Sequence, residues 1–219
     1  MITKINKNKK IIILTFSILI FIFILMDVYK YEVTSYDNWA YLTFVENGRS
    51  DMMTNIMKFI TSFGSALFLI TGLFLILLFA EEKKYFLYGS INLLLVTIIN
   101  NAVKIIVRRP RPSGYNLIVE SNFSFPSGHS MASTAFYGFL IYLVYKKIKD
   151  KRLKYFLISV LFILIVSICI SRIYLGVHYL SDTLAGFFFS LAYLMVFVTV
   201  ISKYELKRGK MYEKKKIKD

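Results

Sequence analysis

The chain is poor in several residue types that usually signal a particular class of protein. Its 219 residues include one cysteine, two histidines, one tryptophan and three prolines. The lone Cys169 lies in an apolar run, which excludes an intrachain disulfide and leaves a packed, inert thiol as the expectation. Acidic groups are scarce: 13 Asp and Glu against 28 Lys and Arg give a net charge of +15. Those basic residues are divided among short loops and tails, which argues against nucleic-acid binding. No internal repeat or low-complexity linker is visible, and the apolar runs leave no room for a second domain.

What is plentiful is apolar sequence. The chain is 57% hydrophobic with a positive mean hydropathy, beyond the range of ordinary soluble domains. A spanning helix needs about 20 mostly apolar residues. Six stretches qualify: 11–29, 56–80, 85–107, 128–145, 155–173 and 180–202. The expected fold is therefore all-α, a polytopic membrane protein built as a six-transmembrane helix bundle. One domain should cover 1–219, ending in a basic cytoplasmic tail over 203–219. The first span follows Lys4, Lys7, Lys9 and Lys10 as a secretory signal would. It lacks a small-residue cleavage site and is read as a retained anchor.

Charge sets the orientation. With both termini in the cytoplasm, most of the basic residues fall inside: the N-terminal lysines, Lys83 and Lys84, the run from Lys146 to Lys154, and the tail. That asymmetry follows the positive-inside rule and suits contact with anionic lipid heads. Between the first two spans, Trp39, Leu42 and Val45 have the spacing of one helix face, and Trp39 and Tyr41 suit a membrane interface. Segment 36–47 is accordingly read as a short interfacial helix, with a lid over a site as the alternative.

The outer basic residues are unevenly placed. Lys104, Arg108, Arg109, Arg111 and Arg172 sit at the outer ends of the third and fifth spans, level with Ser127, His129, His178 and Asp182. Charges at membrane depth are costly, so they pair, snorkel or serve a function. Pro110 and Pro112 should end the third helix and hold Arg111 on an extended segment, from which a guanidinium can bind two phosphate oxygens. Pro126 and Ser127 read as a helix start, and Gly128 leaves the free backbone N–H groups open to an anion beside His129. Asp182 follows His178 by four residues, close enough on a helix to fix the imidazole tautomer and stabilise its charged form. Lys104, Arg111 and Arg172, an anion-binding helix terminus and two histidines suit a phosphoryl group. One neutral histidine attacks phosphorus and the other protonates the leaving oxygen.

Each piece also has a plainer reading. A His–Asp pair at this spacing is often a structural hydrogen bond, Arg172 and Asp182 can form a neutralising ion pair, and Arg108 and Arg109 can snorkel. A metal on His129, His178 and Asp182 is disfavoured by the neighbouring cations. The sequon at Asn122 is read as chance, because a glycan there would obstruct the site.

Taken together, the residues resemble a known family. Lys104 separated by six residues from Arg111-Pro112, then Pro126-Ser127-Gly128-His129, then Ser171-Arg172 separated by five residues from His178 and His178 by three from Asp182, are similar to the three signature motifs of the type 2 phosphatidic acid phosphatase family. Its superfamily also holds vanadium-dependent haloperoxidases and glucose-6-phosphatase. The stretch Thr61-Ser62-Phe63-Gly64-Ser65 fits as well, and the motif core runs over 104–182. The resemblance implies His178 as a nucleophile forming phosphohistidine, Asp182 orienting it, and His129 as general acid and then base. It implies Lys104, Arg111, Ser127, Gly128 and Arg172 as phosphate ligands, no metal and no other cofactor. Its implied partners are the bilayer and a membrane lipid phosphate: undecaprenyl pyrophosphate, phosphatidylglycerophosphate or phosphatidic acid. The alternatives are a phosphotransferase using the same site and a non-catalytic lipid or anion transporter, the latter disfavoured because binding needs no nucleophile.

Overall fold

A computed structural model describes residues 7–114 and 116–216. Helices dominate: α1 (Lys7–Tyr31), α2 (Ser35–Tyr41), α3 (Asp51–Ser62), α4 (Ala66–Phe79), α5 (Lys84–Val107), α6 (Gly128–Lys147), α7 (Lys151–Tyr174) and α8 (Leu180–Lys216). Among the described residues there is no strand. Local chemistry sets the starts. Thr34, Ser50, Ser65, Ser127 and Asp150 each turn a side-chain oxygen onto a free N–H of the helix that follows.

The expected six spans are met in part. Helices α1, α5, α7 and α8 are long and apolar enough to cross a membrane. The second expected span is two helices, α3 and α4, bent by 49° at a short break. Helix α6 does not qualify on the same measure, because its first half carries the buried Ser130, Ser133 and Thr134. The segment read as a basic tail, 203–219, is helical through Lys216 as the continuation of α8. Residues 217–219 lie outside the described residues.

The polar character of α6 follows from its position. It packs against α5, α7 and α8, while α1 lies along α8 and α3 along α7. Surrounded by protein, α6 needs no lipid-facing stripe. Gly138 lets α8 approach: a Cβ there would come within 2.5 Å of Leu194 Cδ2. Close approach through small residues is what drives helix association where lipid is as apolar as the side chains. Phe139, Leu194 and Phe197 fill that contact, and Phe136, Ile165 and Ile168 fill the one with α7. Large apolar side chains such as Phe16, Phe74, Phe79 and Ile106 face outward, as a lipid-bathed bundle requires.

The ends of the bundle differ in charge. Lys84 and Lys146 pair with Glu205 at 3.1 and 2.5 Å, and Lys147 pairs with Glu82. These groups lie at the C-terminal end of α6, about 30 Å from its N-terminus at the usual helical rise. The other end gathers the C-termini of α5 and α7, the N-termini of α6 and α8, and the short helix α2.

The segment 36–47 is not the simple amphipathic helix expected. Trp39 and Leu42 are exposed while Val45 is buried, because a wider π-type turn over Leu42–Glu46 shifts the register. The residue that α2 buries most consequentially is Asp37, which also completes a capping box with Thr34.

Candidate active site

Helix α5 carries Lys104 in its last turn and stops at Arg108, whose backbone is left-handed (φ 53°). The chain has left the helix by Pro110 and Pro112, as the sequence predicts. This brings Arg111 back over the end of the bundle. Its Nη1 donates to the Val177 carbonyl at 2.8 Å and lies 3.1 Å from His178 Nε2, while Nε donates to the Asn122 carbonyl at 2.5 Å. Burial pulls the guanidinium below its ordinary pKa, although Glu120 and Asp182 oppose that shift. Lys104 is buried beneath the same loop, donating to the Phe123 carbonyl and, at 3.5 Å, to that of Ser124.

Ser127 caps α6, accepting from Ser130 N at 3.4 Å, and its own N–H donates to the Asp182 carbonyl at 3.0 Å. That second bond ties the α6 entry to the start of α8. A Cβ on Gly128 would lie 3.2 Å from Asn100 Oδ1, so the lack of a side chain lets α5 and α6 meet here. His129 sits against the break between α3 and α4, where a Cβ on Gly64 would be 3.0 Å from its ring. Beside it, a cavity of about 210 Å³ is lined by Leu69, Val96, Thr97, Ala132 and His129 itself.

Arg172 is almost fully buried. It donates to Thr61 Oγ1 at 2.9 Å and pairs with Glu120, not with Asp182 as one plain sequence reading had it. Ser171, which precedes Arg172 in the third motif, donates back to the Ile168 carbonyl within its own helix.

His178 departs from the sequence reading in one respect. Helix α8 begins at Leu180, so His178 and Asp182 do not share a helical face. They meet because Asp182 folds back over the helix start, accepting from Tyr179 N at 2.9 Å. His178 Nδ1 lies 3.5 Å from Asp182 Oδ2, with Ser124 bridging: its Oγ is 3.3 Å from Nδ1 and donates to Oδ2 at 2.5 Å. A consistent proton chain runs from Nδ1–H to Ser124 to Asp182, leaving Nε2 unprotonated, its lone pair accepting from Arg111 Nη1. Burial pushes the imidazole down to about 4, against the opposing pull of Asp182, so it is neutral at pH 7.

Arg109 is the largest correction to the sequence reading. It does not snorkel. Its side chain is buried, with Nη1 2.7 Å from Asp182 Oδ1 and Nη2 2.8 Å from Asp37 Oδ2. The Tyr179 ring lies over the guanidinium with its centroid 4.1 Å away. Burial alone would lower its pKa; the two carboxylates outweigh that and raise it.

The structure thus brings Lys104, Arg111, Ser127, Gly128, His129, Arg172, His178 and Asp182 to one end of the bundle, from four helices and two connecting loops. Sequence reasoning missed Ser124, Glu120 and Asp37 in this region, gave Thr61 no contact here and left Arg109 to snorkel. Asp37 carried one usable signal, the Thr-x-x-Asp capping pattern; Ser124 and Glu120 carried none. Among the described residues, no group of three or more His, Cys, Asp or Glu side chains is placed to hold a metal ion.

Residues 84–205 match the family model of the PAP2 superfamily. The chain belongs to this family, the type 2 phosphatidic acid phosphatases. It is 32% identical over 170 residues to phosphatidylglycerophosphatase B of Bacillus subtilis, covering 73% of this chain and 80% of that protein. Its fold is similar to the crystal structure of a transmembrane PAP2-type phosphatidylglycerolphosphate phosphatase from Bacillus subtilis. That match has a TM-score of 0.75 at 27% identity, over 87% of this chain and 96% of the other. It also resembles the fold of Aquifex aeolicus LpxE, with a TM-score of 0.60 at 21% identity over 75% of this chain and 93% of the other. This PAP2 member is a multi-pass membrane protein and a lipid phosphate phosphatase. The family match begins at residue 84, so Asp37, Thr61 and Gly64 lie outside it.

Proposed function

We propose that this enzyme hydrolyses a phosphomonoester or pyrophosphate of a membrane lipid through a phosphohistidine on His178, at the extracytoplasmic face of a six-span bundle. The observation that carries the reading is the placement of His178: Nδ1 held by Ser124 and Asp182, Nε2 directed at the Arg111 guanidinium. A phosphoryl group that takes up the Arg111 guanidinium releases that lone pair and arrives in front of it.

In the first step Nε2 attacks phosphorus, the bond to the lipid oxygen breaks, and His129 gives that oxygen its proton. In the second step water attacks phosphorus, His129 takes the water proton, and the P–N bond breaks to return neutral His178 and release inorganic phosphate. Arg111, Arg172, Lys104 and the N–H groups at the start of α6 stabilise the equatorial oxygens as charge spreads over them. Asp182 stabilises the imidazolium character that develops during attack. The apolar cavity beside His129 gives the departing lipid alcohol a place on the side where the proton is delivered.

The charge distribution supports the orientation. The lysine-rich connections sit at the end of the bundle opposite the site, which the positive-inside rule assigns to the cytoplasm together with both termini. Similarity to proteins named for phosphatidylglycerophosphate makes that lipid the first substrate to test, beside undecaprenyl pyrophosphate and phosphatidic acid. Phosphate release from these three in detergent, with EDTA present, tests the reading. The expected result is hydrolysis of at least one and inhibition by orthovanadate, which adopts the five-coordinate geometry of the transition state. Activity lost in EDTA and restored by a divalent metal would overturn it.

A further inference from the structure

The catalytic carboxylate of this reading does not stand alone. Asp182 Oδ2 serves Tyr179 N and Ser124, while Oδ1 is held by Arg109. Arg109 is in turn held by Asp37, whose two oxygens also accept from Ser181 N and Ser181 Oγ, each at 2.8 Å. Arg109 Nη1 also reaches Ser181 Oγ at 2.6 Å. All four side chains are within a few per cent of full burial.

Such an arrangement is costly to assemble unless every member is satisfied, because each charge has left water. Its location limits what it can do. It touches neither the loop carbonyls that hold Arg111 nor the Glu120–Arg172 pair, and it reaches the reacting centre through Asp182. Asp37 comes from α2, ahead of the part of the chain that matches the family model. Helix α2 and the turn after it are fixed over the site from the other side as well, since Arg49 donates to the Tyr174 carbonyl at 3.2 and 2.9 Å.

We infer that Asp37 and Arg109 are positioning residues for Asp182, and that the short helix α2 completes the catalytic machinery by supplying the second carboxylate. The inference rests on the proposed role of His178. Arg109 fixes the rotamer of Asp182 so that Oδ2 faces Ser124 and the imidazole. Asp37 fixes Arg109 and balances its second half. The net charge of the Asp37–Arg109–Asp182 set stays at that of one carboxylate, which allows Asp182 to remain ionised against His178.

The test separates positioning from folding by measuring turnover per competent site. Sites are counted by titration with orthovanadate in detergent, and phosphate release is expressed per vanadate-binding site. For Arg109→Gln the expected result is a retained site count with turnover per site lower by roughly 10- to 100-fold, the scale seen when the groups that orient metal-bound histidines and carboxylates are removed. A merely structural role would lower the count and leave turnover per remaining site at the parent value. The second arm is the pair Arg109→Gln and Asp37→Asn/Arg109→Gln. Because Asp37 acts through Arg109, the double variant should match Arg109→Gln within about threefold; non-additivity of this kind marks residues in one network. The double variant also removes both charges together, which is better tolerated in a protein interior than leaving one unpaired. A further large loss in the double variant, or parent turnover per site in Arg109→Gln, overturns the inference. His178→Ala distinguishes its failure from failure of the underlying reading: if that variant turns over normally, the phosphohistidine reading fails first.

Discussion

Glu120 pairs with Arg172 through Oε1 and approaches Arg111 to 3.7 Å through Oε2. Burial alone would raise its pKa, but the two guanidinium groups outweigh that and hold the carboxyl below the usual range. An ionised carboxylate therefore occupies the two arginines that the mechanism assigns to phosphate. A phosphoryl group bound by both arginines, as proposed, would displace it.

Glu120→Gln keeps the shape and removes the competing charge. The inhibition constants of orthovanadate and inorganic phosphate should both fall by roughly tenfold, equivalent to about 1.4 kcal/mol. An unchanged or weaker inhibition by both would show that Glu120 orients Arg172 instead of competing for it.

The arginines themselves can be told apart by geometry. Arg111→Lys keeps a positive charge but loses the fork that spans two oxygens, and turnover should drop by roughly 100- to 1000-fold. Arg108 is exposed and bonds back to the Ile105 carbonyl, so Arg108→Ala should stay within about twofold of the parent. Steady-state assays on one lipid phosphate check both. Equal damage from the two would remove the case for a specific role of Arg111.

These contrasts show what the sequence could and could not reveal. Arg108 and Arg109 are adjacent, equally basic and at the same depth, and the sequence reading treated them alike. Their fates diverge because Arg108 adopts a left-handed backbone at the helix end, turning one side chain out and the next inward. Nothing in composition or periodicity encodes that turn. The motif residues were legible as unusual residue types at set spacings, and the structure gathers them at one end of the bundle. Glu120 and Ser124 lie in an irregular loop, where position depends on tertiary contacts and no periodicity reports it. The fold was legible wherever an apolar run was long. It was not at α6, whose buried polar residues resemble neither a lipid-facing span nor a soluble helix, nor at Gly64, where an apparent single span bends.

The pH profile follows from His178. Attack needs the neutral imidazole, and burial holds this group at about 4, below the ordinary 6.5. The fraction competent to attack is full above about pH 5 and falls as pH drops through 4. The acid limb of kcat/KM assigned to this histidine should therefore lie near 4. The same shift means the unfolded chain binds the proton more readily, so this group's contribution to stability declines as pH falls from 6.5 toward 4. An acid limb near 6.5 that disappears in a His178 variant would contradict the burial argument.

Orientation is checked from outside the cell. In a Cys169→Ser background, a cysteine replacing Ser113 should react with an impermeant thiol reagent on intact cells. A cysteine replacing Lys149 should react only after lysis. Both positions are solvent-exposed, so access alone decides the outcome. The reverse pattern would place the site on the cytoplasmic face.

The central claim is that His178 carries the phosphoryl group between lipid and water. The direct measurement is rapid-quench trapping with a substrate radiolabelled in its phosphoryl group, followed by acid and base treatment of the protein. The parent enzyme should hold acid-labile, base-stable label, and His178→Ala should hold none and release no phosphate. Hydrolysis by His178→Ala at near the parent rate, or label that survives acid, would contradict the account.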